Sequence, residues 1–202
     1  MTNSQKAAIE KLWSEWGVDL EAEGEIDPRS LFAVQRPVVL EVGFGMGFSL
    51  AQMAEENREI NYIGAEVHLP GVGNLFKLIS ERGLENVRVL NEDVNRFLNV
   101  VKPNSLAGLQ LYFPDPWPKK RHHKRRIVQR EWIEMLAGKL EAGGVLHMAT
   151  DWEPYAEWML EIMEASPEFR NCAGAGKFHP RPENRPLTKF EQRGHKLGHG
   201  VW

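Results

Sequence analysis

Short apolar runs alternate along this chain with segments whose apolar positions recur at helical spacing. Near the N-terminus Ile9, Leu12, Trp13 and Trp16 share one face, which predicts an amphipathic helix over residues 4–16. The body of the chain then consists of five predicted strand–helix pairs. The predicted strands are 37–42, 61–66, 87–91, 106–113 and 144–149, and the helices that follow them are 48–56, 71–82, 94–101, 127–140 and 154–165.

This alternation predicts an α/β fold in which a doubly wound, mostly parallel sheet carries helices on both faces. Ligands of such sheets bind beyond the carboxyl ends of the strands, so the loops after the strands are where we expect a site. Residues 21–30 are acidic and contain Gly and Pro, which is typical of a connector. We therefore predict a helix and connector over 1–30 and a single domain over 31–202. The segment 171–202, rich in Gly, Pro, Arg and His, is expected to add an antiparallel edge element or a flap.

The loop after the first predicted strand has Gly43, Gly45 and Gly47 at alternate positions, and residues 43–47 are called the glycine loop below. Glycine permits a tight turn and lets the backbone approach a ligand closely. A dinucleotide fingerprint requires another small residue at position 48, where this chain has Phe48. The pattern therefore favours the S-adenosylmethionine loop of class I methyltransferases over an NAD site.

Three acidic residues accompany the carboxyl ends of the first three predicted strands. Glu66 closes the second strand, where a carboxylate is placed to accept hydrogen bonds from ribose hydroxyls. Asp93 follows the third strand, where an acceptor would meet the adenine amino group, and Glu41 faces the amino end of the methionine moiety. Two structural alternatives remain open: Asp93 as an N-cap of the next helix, and Glu66 as a surface acid.

The segment FPDPWPKKRHHKRR, residues 113–126, places one carboxylate beside a dense cationic stretch. We call residues 114–118 the proline turn and residues 119–126 the basic run. Asp115 lies between two prolines and has little backbone freedom. Residues 119–130 carry seven Lys/Arg and no acid, whereas residues 1–118 carry 10 Lys/Arg and 17 Asp/Glu, within a net charge of −3. A local basic surface on an acidic protein indicates nucleic-acid binding, with a solvated loop as the alternative.

Other residues around this segment have both functional and structural interpretations. Phe113 and Trp117 are suited to stacking on an unpaired base, or equally to core packing. Asp115 is also a turn residue of the Asp-Pro kind. Asp151 is placed to cap the helix that begins near Trp152, and Thr188 with Glu191 has the spacing of a capping box.

Five motifs occur in order over residues 37–193: LEVGFGMG, YIGAEVH, FPDPWPKKRHHKRR, HMATDWEPYAEWM and RPLTKFEQRG. In these motifs the chain resembles the bacterial tRNA (guanine-N7-)-methyltransferases, which are class I S-adenosylmethionine-dependent enzymes with a Rossmann-like fold. The resemblance implies methylation of N7 of guanosine 46 in the tRNA variable loop, with S-adenosylmethionine as the cofactor and tRNA as the partner.

Carried over position by position, the resemblance also implies roles for individual residues. The cofactor contacts would be Glu41, Glu66, Asp93 and Asp115, together with the glycine loop. Asp115 would orient the guanine and the methyl donor, because N7 carries a free lone pair and no proton and so requires no general base. The substrate contacts would be Lys119, Asp151, Thr188, Lys189, Phe190 and Glu191, with Arg121, His122, His123, Lys124, Arg125 and Arg126 on the RNA.

Three other functions stay open at this point: an NAD-linked oxidoreductase, a non-catalytic RNA-binding protein, and a methyltransferase acting on another base nitrogen. Phe48 and the lack of a plausible hydride-site His or Tyr argue against the first. No leader segment or membrane span is expected, Cys172 is the single cysteine, and no metal site is predicted. A cytoplasmic location follows as the expectation, with monomer and homodimer both open.

Overall fold

A computed structural model describes residues 1–20, 24–183, 185–188, 191 and 200–202 of the chain. Strands and helices alternate in it as the apolar pattern predicts. The strands are β1 (Val38–Val42), β2 (Asn61–Ala65), β3 (Val87–Leu90), β4 (Leu106–Tyr112) and β5 (Leu140–Ala149). The helices are α1 (Asn3–Trp16), α2 (Phe48–Glu56), α3 (Leu69–Arg82), α4 (Val94–Val100), α5 (Arg130–Ala137) and α6 (Glu153–Glu164).

The strands form one sheet in the order β3-β2-β1-β4-β5. β1 runs parallel to β2, with Val38 opposite Asn61, and β2 runs parallel to β3, with Tyr62 opposite Val87. The strand order reverses between β1 and β4, which is where open α/β sheets bind their ligands. The glycine loop directly follows β1, so it starts at this switch point. The predicted α/β fold, with its parallel sheet and helices, is confirmed.

The chain forms two compact units. The first comprises Met1–Gln110 and Lys139–Leu146, and the second comprises Leu111–Gly138 and His147–Trp202. In the first unit, Leu40 of β1, Ile63 of β2 and Val89 of β3 are fully buried. Helix α1 packs on α3, with the rings of Trp13 and Phe76 edge to face at 5.8 Å. The predicted division at residue 30 stays a prediction, and residues 21–23 of the predicted connector lie outside the described residues.

The second unit contains α5 and α6. Its buried side chains include Val128, Ile133 and Leu136 around α5, and Tyr155 in α6. The backbone of Trp202 exchanges two hydrogen bonds with Thr150, of 2.9 and 3.0 Å. Two mutual bonds between one pair of residues are the antiparallel arrangement. Whether the segment 171–202 adds an edge element or a flap stays a prediction, since residues 192–199 lie outside the described residues.

The predicted bounds of α5 and β5 were wrong. We predicted a helix over 127–140 and a strand from 144, whereas α5 is Arg130–Ala137 and β5 already begins at Leu140. Gly138 caps the helix, so Leu140, whose spacing fits the helical pattern, belongs to the strand. Gly143 has φ of +83°, which lets β5 continue through Gly143 and Gly144, the second of which we took as its start. Helix α3 begins at Leu69, two residues earlier than predicted, because Pro70 is tolerated in a first turn.

Two short 3₁₀ helices, Pro28–Leu31 and Lys120–Arg125, were not predicted. The second of them contains most of the basic run. Within the part of the chain that the structure describes, no helix is both long and apolar enough to span a bilayer.

Candidate active site

The glycine loop adopts left-handed backbone at alternate residues. Gly43, Gly45 and Gly47 have φ of +70°, +59° and +74°. A β-carbon added at Gly43 or Gly45 would meet nothing within 4 Å, whereas one at Gly47 would lie 2.8 Å from the Leu75 side chain. The first two glycines therefore leave open space beside the backbone that a ligand can enter, and Gly47 allows close packing on α3.

Helix α3 approaches this loop closely at another glycine. A β-carbon added at Gly71 would lie 2.0 Å from the carbonyl oxygen of Gly45. Position 71 must therefore be glycine for the first turn of α3 to lie against the glycine loop. The Asn74 side-chain amide, one turn further along, donates to the Met46 carbonyl at 2.7 Å.

Glu66 connects the glycine loop to the loop after β2. Its Oε2 accepts a hydrogen bond from the Gly45 amide at 2.9 Å, and its Oε1 accepts one from the His68 amide at 2.9 Å. Each carboxylate oxygen has further acceptor capacity, so Glu66 can hold the loop and still accept from a ribose hydroxyl. Glu66 is therefore not simply a surface acid, because both of its carboxylate oxygens accept hydrogen bonds from the backbone.

Glu41 is a buried acid near the end of β1, with 3% of its surface exposed. Burial raises the pKa of its carboxyl to about 8. Among the described residues its Oε2 has no hydrogen-bond partner, and the same is true of the buried Ser49 Oγ and Gln110 Oε1. A buried carboxyl oxygen without a partner, as in Glu41, suits the ammonium group of an amino-acid moiety.

Ser49 and Gln110 were missed by the sequence reasoning. Ser49 lies in the first turn of α2, directly after the glycine loop, and Gln110 is a polar residue in a predicted apolar strand. A polar residue directly after the glycine loop and a polar residue in an apolar strand are the sequence features that could have drawn attention to them.

Asp93 is exposed and caps α4, accepting from the Asn95 amide through Oδ1 at 2.8 Å. The N-cap alternative is therefore the observed structural role. A contact with adenine is compatible with it and stays a prediction. Within the described residues, no hydrogen bond links the Asp93 side chain to Glu66 or the glycine loop.

In the second unit, the proline turn follows β4 and presents Asp115 at the surface. Phe113 and Trp117, on either side, have φ of +52° and +45°. Left-handed backbone in bulky residues is uncommon and is frequently found at functional sites. The carbonyl of Pro116 accepts a hydrogen bond from Arg126 Nε at 2.9 Å.

The basic run is exposed at Lys119, Arg121, Lys124 and Arg125. The Arg125 guanidinium lies 4.9 Å above the Trp117 ring, and the His122 ring meets the edge of that ring at 6.0 Å. The Trp117 ring is partly exposed and contacts Arg125 and His122, so it is not buried in a core. Stacking on a base stays a prediction. His123 contacts the Trp158 ring at 5.7 Å.

Arg126 differs from the rest of the basic run because only 2% of its surface is exposed. Burial lowers the pKa of its guanidinium, and the nearby Tyr155 opposes that shift. The predicted RNA contact of Arg126 therefore involves a side chain engaged inside the protein.

The predicted substrate segment 188–191 is described in part, because Lys189 and Phe190 lie outside the described residues. Thr188 Oγ1 accepts from the Glu191 amide at 3.1 Å, which is half of the predicted capping box. The Glu191 carboxylate accepts two hydrogen bonds from Arg185, at 2.8 and 2.7 Å, and both side chains are buried. The Arg185 guanidinium also lies 5.6 Å from the Tyr112 ring and 5.8 Å from the Phe113 ring.

Asp151 follows β5 and is partly exposed. The alternative that it caps α6 was wrong, because the Trp152 amide donates to Thr150 Oγ1 at 3.2 Å and the cap residue makes no side-chain bond. The Asp151 carboxylate therefore makes no capping hydrogen bond to α6.

A family model described as "Putative methyltransferase" matches residues 35–202 of the chain. The tRNA (guanine-N(7)-)-methyltransferase of Psychromonas ingrahamii is 57% identical over 203 residues, which cover 100% of this chain and 83% of that protein. The tRNA (guanine-N(7)-)-methyltransferase of Hydrogenovibrio crunogenus is 54% identical, with 100% and 84% covered.

Among solved structures, the precorrin-6y C5,15-methyltransferase of Geobacter metallireducens GS-15 superposes with a TM-score of 0.50. It is 11% identical, over 80% of this chain and 69% of that chain, so it supports the fold alone. The assignment to a family rests on the two tRNA (guanine-N(7)-)-methyltransferases, because more than half of the aligned residues are identical over the whole of this chain. By this measure the chain belongs to the tRNA (guanine-N7-)-methyltransferase family.

Proposed function

We propose that this protein transfers a methyl group from S-adenosylmethionine to N7 of guanosine 46 in the variable loop of tRNA. Its membership of the tRNA (guanine-N7-)-methyltransferase family supports the reaction class and the methyl donor. The observation that carries the proposal is the exposed Asp115 on the proline turn, followed directly by the basic run.

Residues of the first unit suit the methyl donor. The open space beside Gly43 and Gly45 admits a ligand against the backbone, and Glu66 is fixed for a pair of hydroxyl donors. Glu41, with its orphaned Oε2, suits the amino group, and Asp93 is assigned to the adenine end. When bound, S-adenosylmethionine supplies an electrophilic methyl group on a sulfonium.

The chemistry of the acceptor determines what Asp115 does. N7 of guanine has an in-plane lone pair and no proton, so no residue has to remove one. The methylated base is cationic, and a carboxylate nearby stabilises the charge that develops in the transition state. Asp115 therefore orients the guanine and stabilises its charge, and positioning supplies the remainder of the rate enhancement.

The exposed cations of the basic run are assigned to the phosphates of tRNA. Phosphate contacts fix the position of a nucleic acid, and they make affinity depend on salt. Lys119, Asp151, Thr188, Lys189, Phe190 and Glu191 keep their assignment to the substrate. Asp151 does not cap α6, so its carboxylate can accept from the substrate. The location in the cytoplasm and the oligomeric state remain as predicted, the latter as monomer or homodimer.

The test is transfer of a labelled methyl group to an unmodified tRNA transcript, followed by mass spectrometry of its nucleosides. We expect 7-methylguanosine at position 46 and no product from a transcript with adenosine there. A methylated exocyclic amine would support the rival class of base methyltransferase, and tRNA binding without transfer would support a non-catalytic RNA-binding protein.

A further inference from the structure

One cation of the basic run is enclosed by aromatic rings. The Arg126 guanidinium carbon lies 4.7 Å from the centroid of the Tyr155 ring and 5.1 Å from that of Trp158, both in α6. Guanidinium groups stack on such rings through cation–π attraction. Its backbone is fixed as well, since the Arg126 amide donates to the His123 carbonyl at 3.0 Å and its carbonyl accepts from the Gln129 side chain at 3.0 Å.

The same rings are anchored to the chain just beyond Arg126. Trp158 Nε1 donates to the Val128 carbonyl at 2.8 Å, and the Tyr155 hydroxyl accepts from the Val128 amide at 3.4 Å. The rings, the guanidinium and residue 128 thus form one packed cluster inside the second unit. We call Arg126, Tyr155 and Trp158 the arginine clamp.

The clamp reaches the proline turn through a single bond, from Arg126 Nε to the Pro116 carbonyl at 2.9 Å. Pro114, Pro116 and Pro118 have no backbone N–H, so the turn has few donors with which to hold itself. Within the described residues, this is the one hydrogen bond made to residues 114–118. The residue that it fixes is the immediate neighbour of Asp115.

We infer that Arg126 is a positioning residue, which holds the proline turn so that Asp115 stands in its productive place. This inference rests on the proposed function, and it separates Arg126 from the RNA-contacting cations beside it. A cation that binds phosphates must reach solvent, whereas Arg126 is enclosed and Lys124 and Arg125 are exposed. Small misplacements of a catalytic group lower the rate of the chemical step rather than substrate affinity.

The experiment compares Arg126→Lys with Lys124→Gln and wild type in single-turnover methyl transfer to tRNA. Lysine keeps the charge but loses the planar group and the Nε donor. We expect Arg126→Lys to lower the rate of transfer roughly 10- to 100-fold, with tRNA affinity, its salt dependence and cofactor affinity unchanged. Lys124→Gln should instead weaken tRNA binding and flatten the salt slope. Arg170→Lys, at an exposed arginine of the same unit that has no assigned role, is the matched control and should equal wild type.

A double-mutant cycle with Asp115→Asn tests the route of action. If Arg126 acts through Asp115, Arg126→Lys should cost little more in the Asp115→Asn background, whereas additive losses would overturn the inference. An unchanged transfer rate in Arg126→Lys would overturn it as well, as would a salt slope altered like that of Lys124→Gln.

Thermal unfolding shows whether Arg126→Lys is folded. If it is not, Trp158→Leu decides, because it removes one face of the clamp and leaves Arg126 in place. We expect a smaller loss of transfer rate in the same direction, and a wild-type rate would overturn the inference. Failure of the wild-type protein to methylate tRNA would instead contradict the proposed function.

Discussion

The glycine loop and the proline turn both lie beside carboxylates that we assign to the site, but different groups hold them. In the glycine loop, the backbone amide of Gly45 donates to Glu66, whose other carboxylate oxygen accepts from the His68 amide in the loop after β2. The proline turn has three residues without an amide donor, and the arginine ten residues after Pro116 donates the bond to it. A loop that keeps its amides can be held by a carboxylate that accepts from them, whereas a turn rich in proline offers carbonyls and needs a side chain that donates.

This comparison predicts that the most damaging substitution lies in the proline turn. Asp115→Ala should lower the rate of transfer on the order of 100-fold or more, because a carboxylate that stabilises developing charge has no substitute there. Single-turnover transfer measures this, and calorimetry should show cofactor affinity reduced only in part. Asp115→Asn, which keeps the shape and removes the charge, should lose nearly as much. Normal turnover in Asp115→Ala would remove Asp115 from the chemistry.

The next effect concerns the buried carboxylate of the first unit. Because burial raises the pKa of Glu41 to about 8, this side chain is protonated in the free protein at neutral pH. A bound ammonium group favours the ionised form, so cofactor binding should release a proton. Cofactor affinity should therefore rise by up to about tenfold per pH unit between about pH 5.5 and 7.5 and level off near 8.

Calorimetry over this range, in buffers of different ionisation enthalpy, measures both the affinity and the released proton. Glu41→Gln cannot ionise, so its affinity should show only the titration of the cofactor itself. A wild-type profile that matches the Gln variant would mean that Glu41 does not meet the ammonium group.

The smallest expected effect is at Glu66, because part of its role is to accept hydrogen bonds from the Gly45 and His68 amides, and only the rest is contact with the cofactor. Glu66→Gln should raise the cofactor Michaelis constant about tenfold, because one oxygen becomes an NH₂ group that cannot accept from an amide or a ribose hydroxyl. The matched control is Glu55→Gln, which removes a surface ion pair with Arg82 and should leave that constant unchanged. Equal constants in wild type and Glu66→Gln would reduce Glu66 to a structural residue.

The sequence predicts what depends on neighbours along the chain. The bounds of α2 were predicted correctly from its helical spacing of apolar residues. The glycine loop was identified from three glycines at alternate positions. The boundary between α5 and β5 was misplaced because Leu140 fits the spacing of either element, and Gly138, Gly143 and Gly144 all offered a place for the break. Local patterns cannot choose between two elements that both accept a residue.

Contacts between distant parts of the chain were beyond such patterns. Arg126 was grouped with its exposed neighbours, since nothing local indicates that Tyr155 and Trp158 enclose it. Glu191 was assigned to substrate on its motif, and its buried ion pair with Arg185 has no signature in spacing. Burial of a charge is decided by which rings and counter-charges the fold brings to it.

The missing side chain at Gly71 has a mechanical consequence. The Gly45 carbonyl occupies the space where a methyl group would stand, so the glycine loop and α3 touch backbone to backbone. A shift of the loop toward the helix, as when a ligand presses on it, has to displace α3 as a body. Because Trp13 of α1 rests on Phe76 of α3, such a push would extend to the N-terminal helix, far along the chain from the loop where it began.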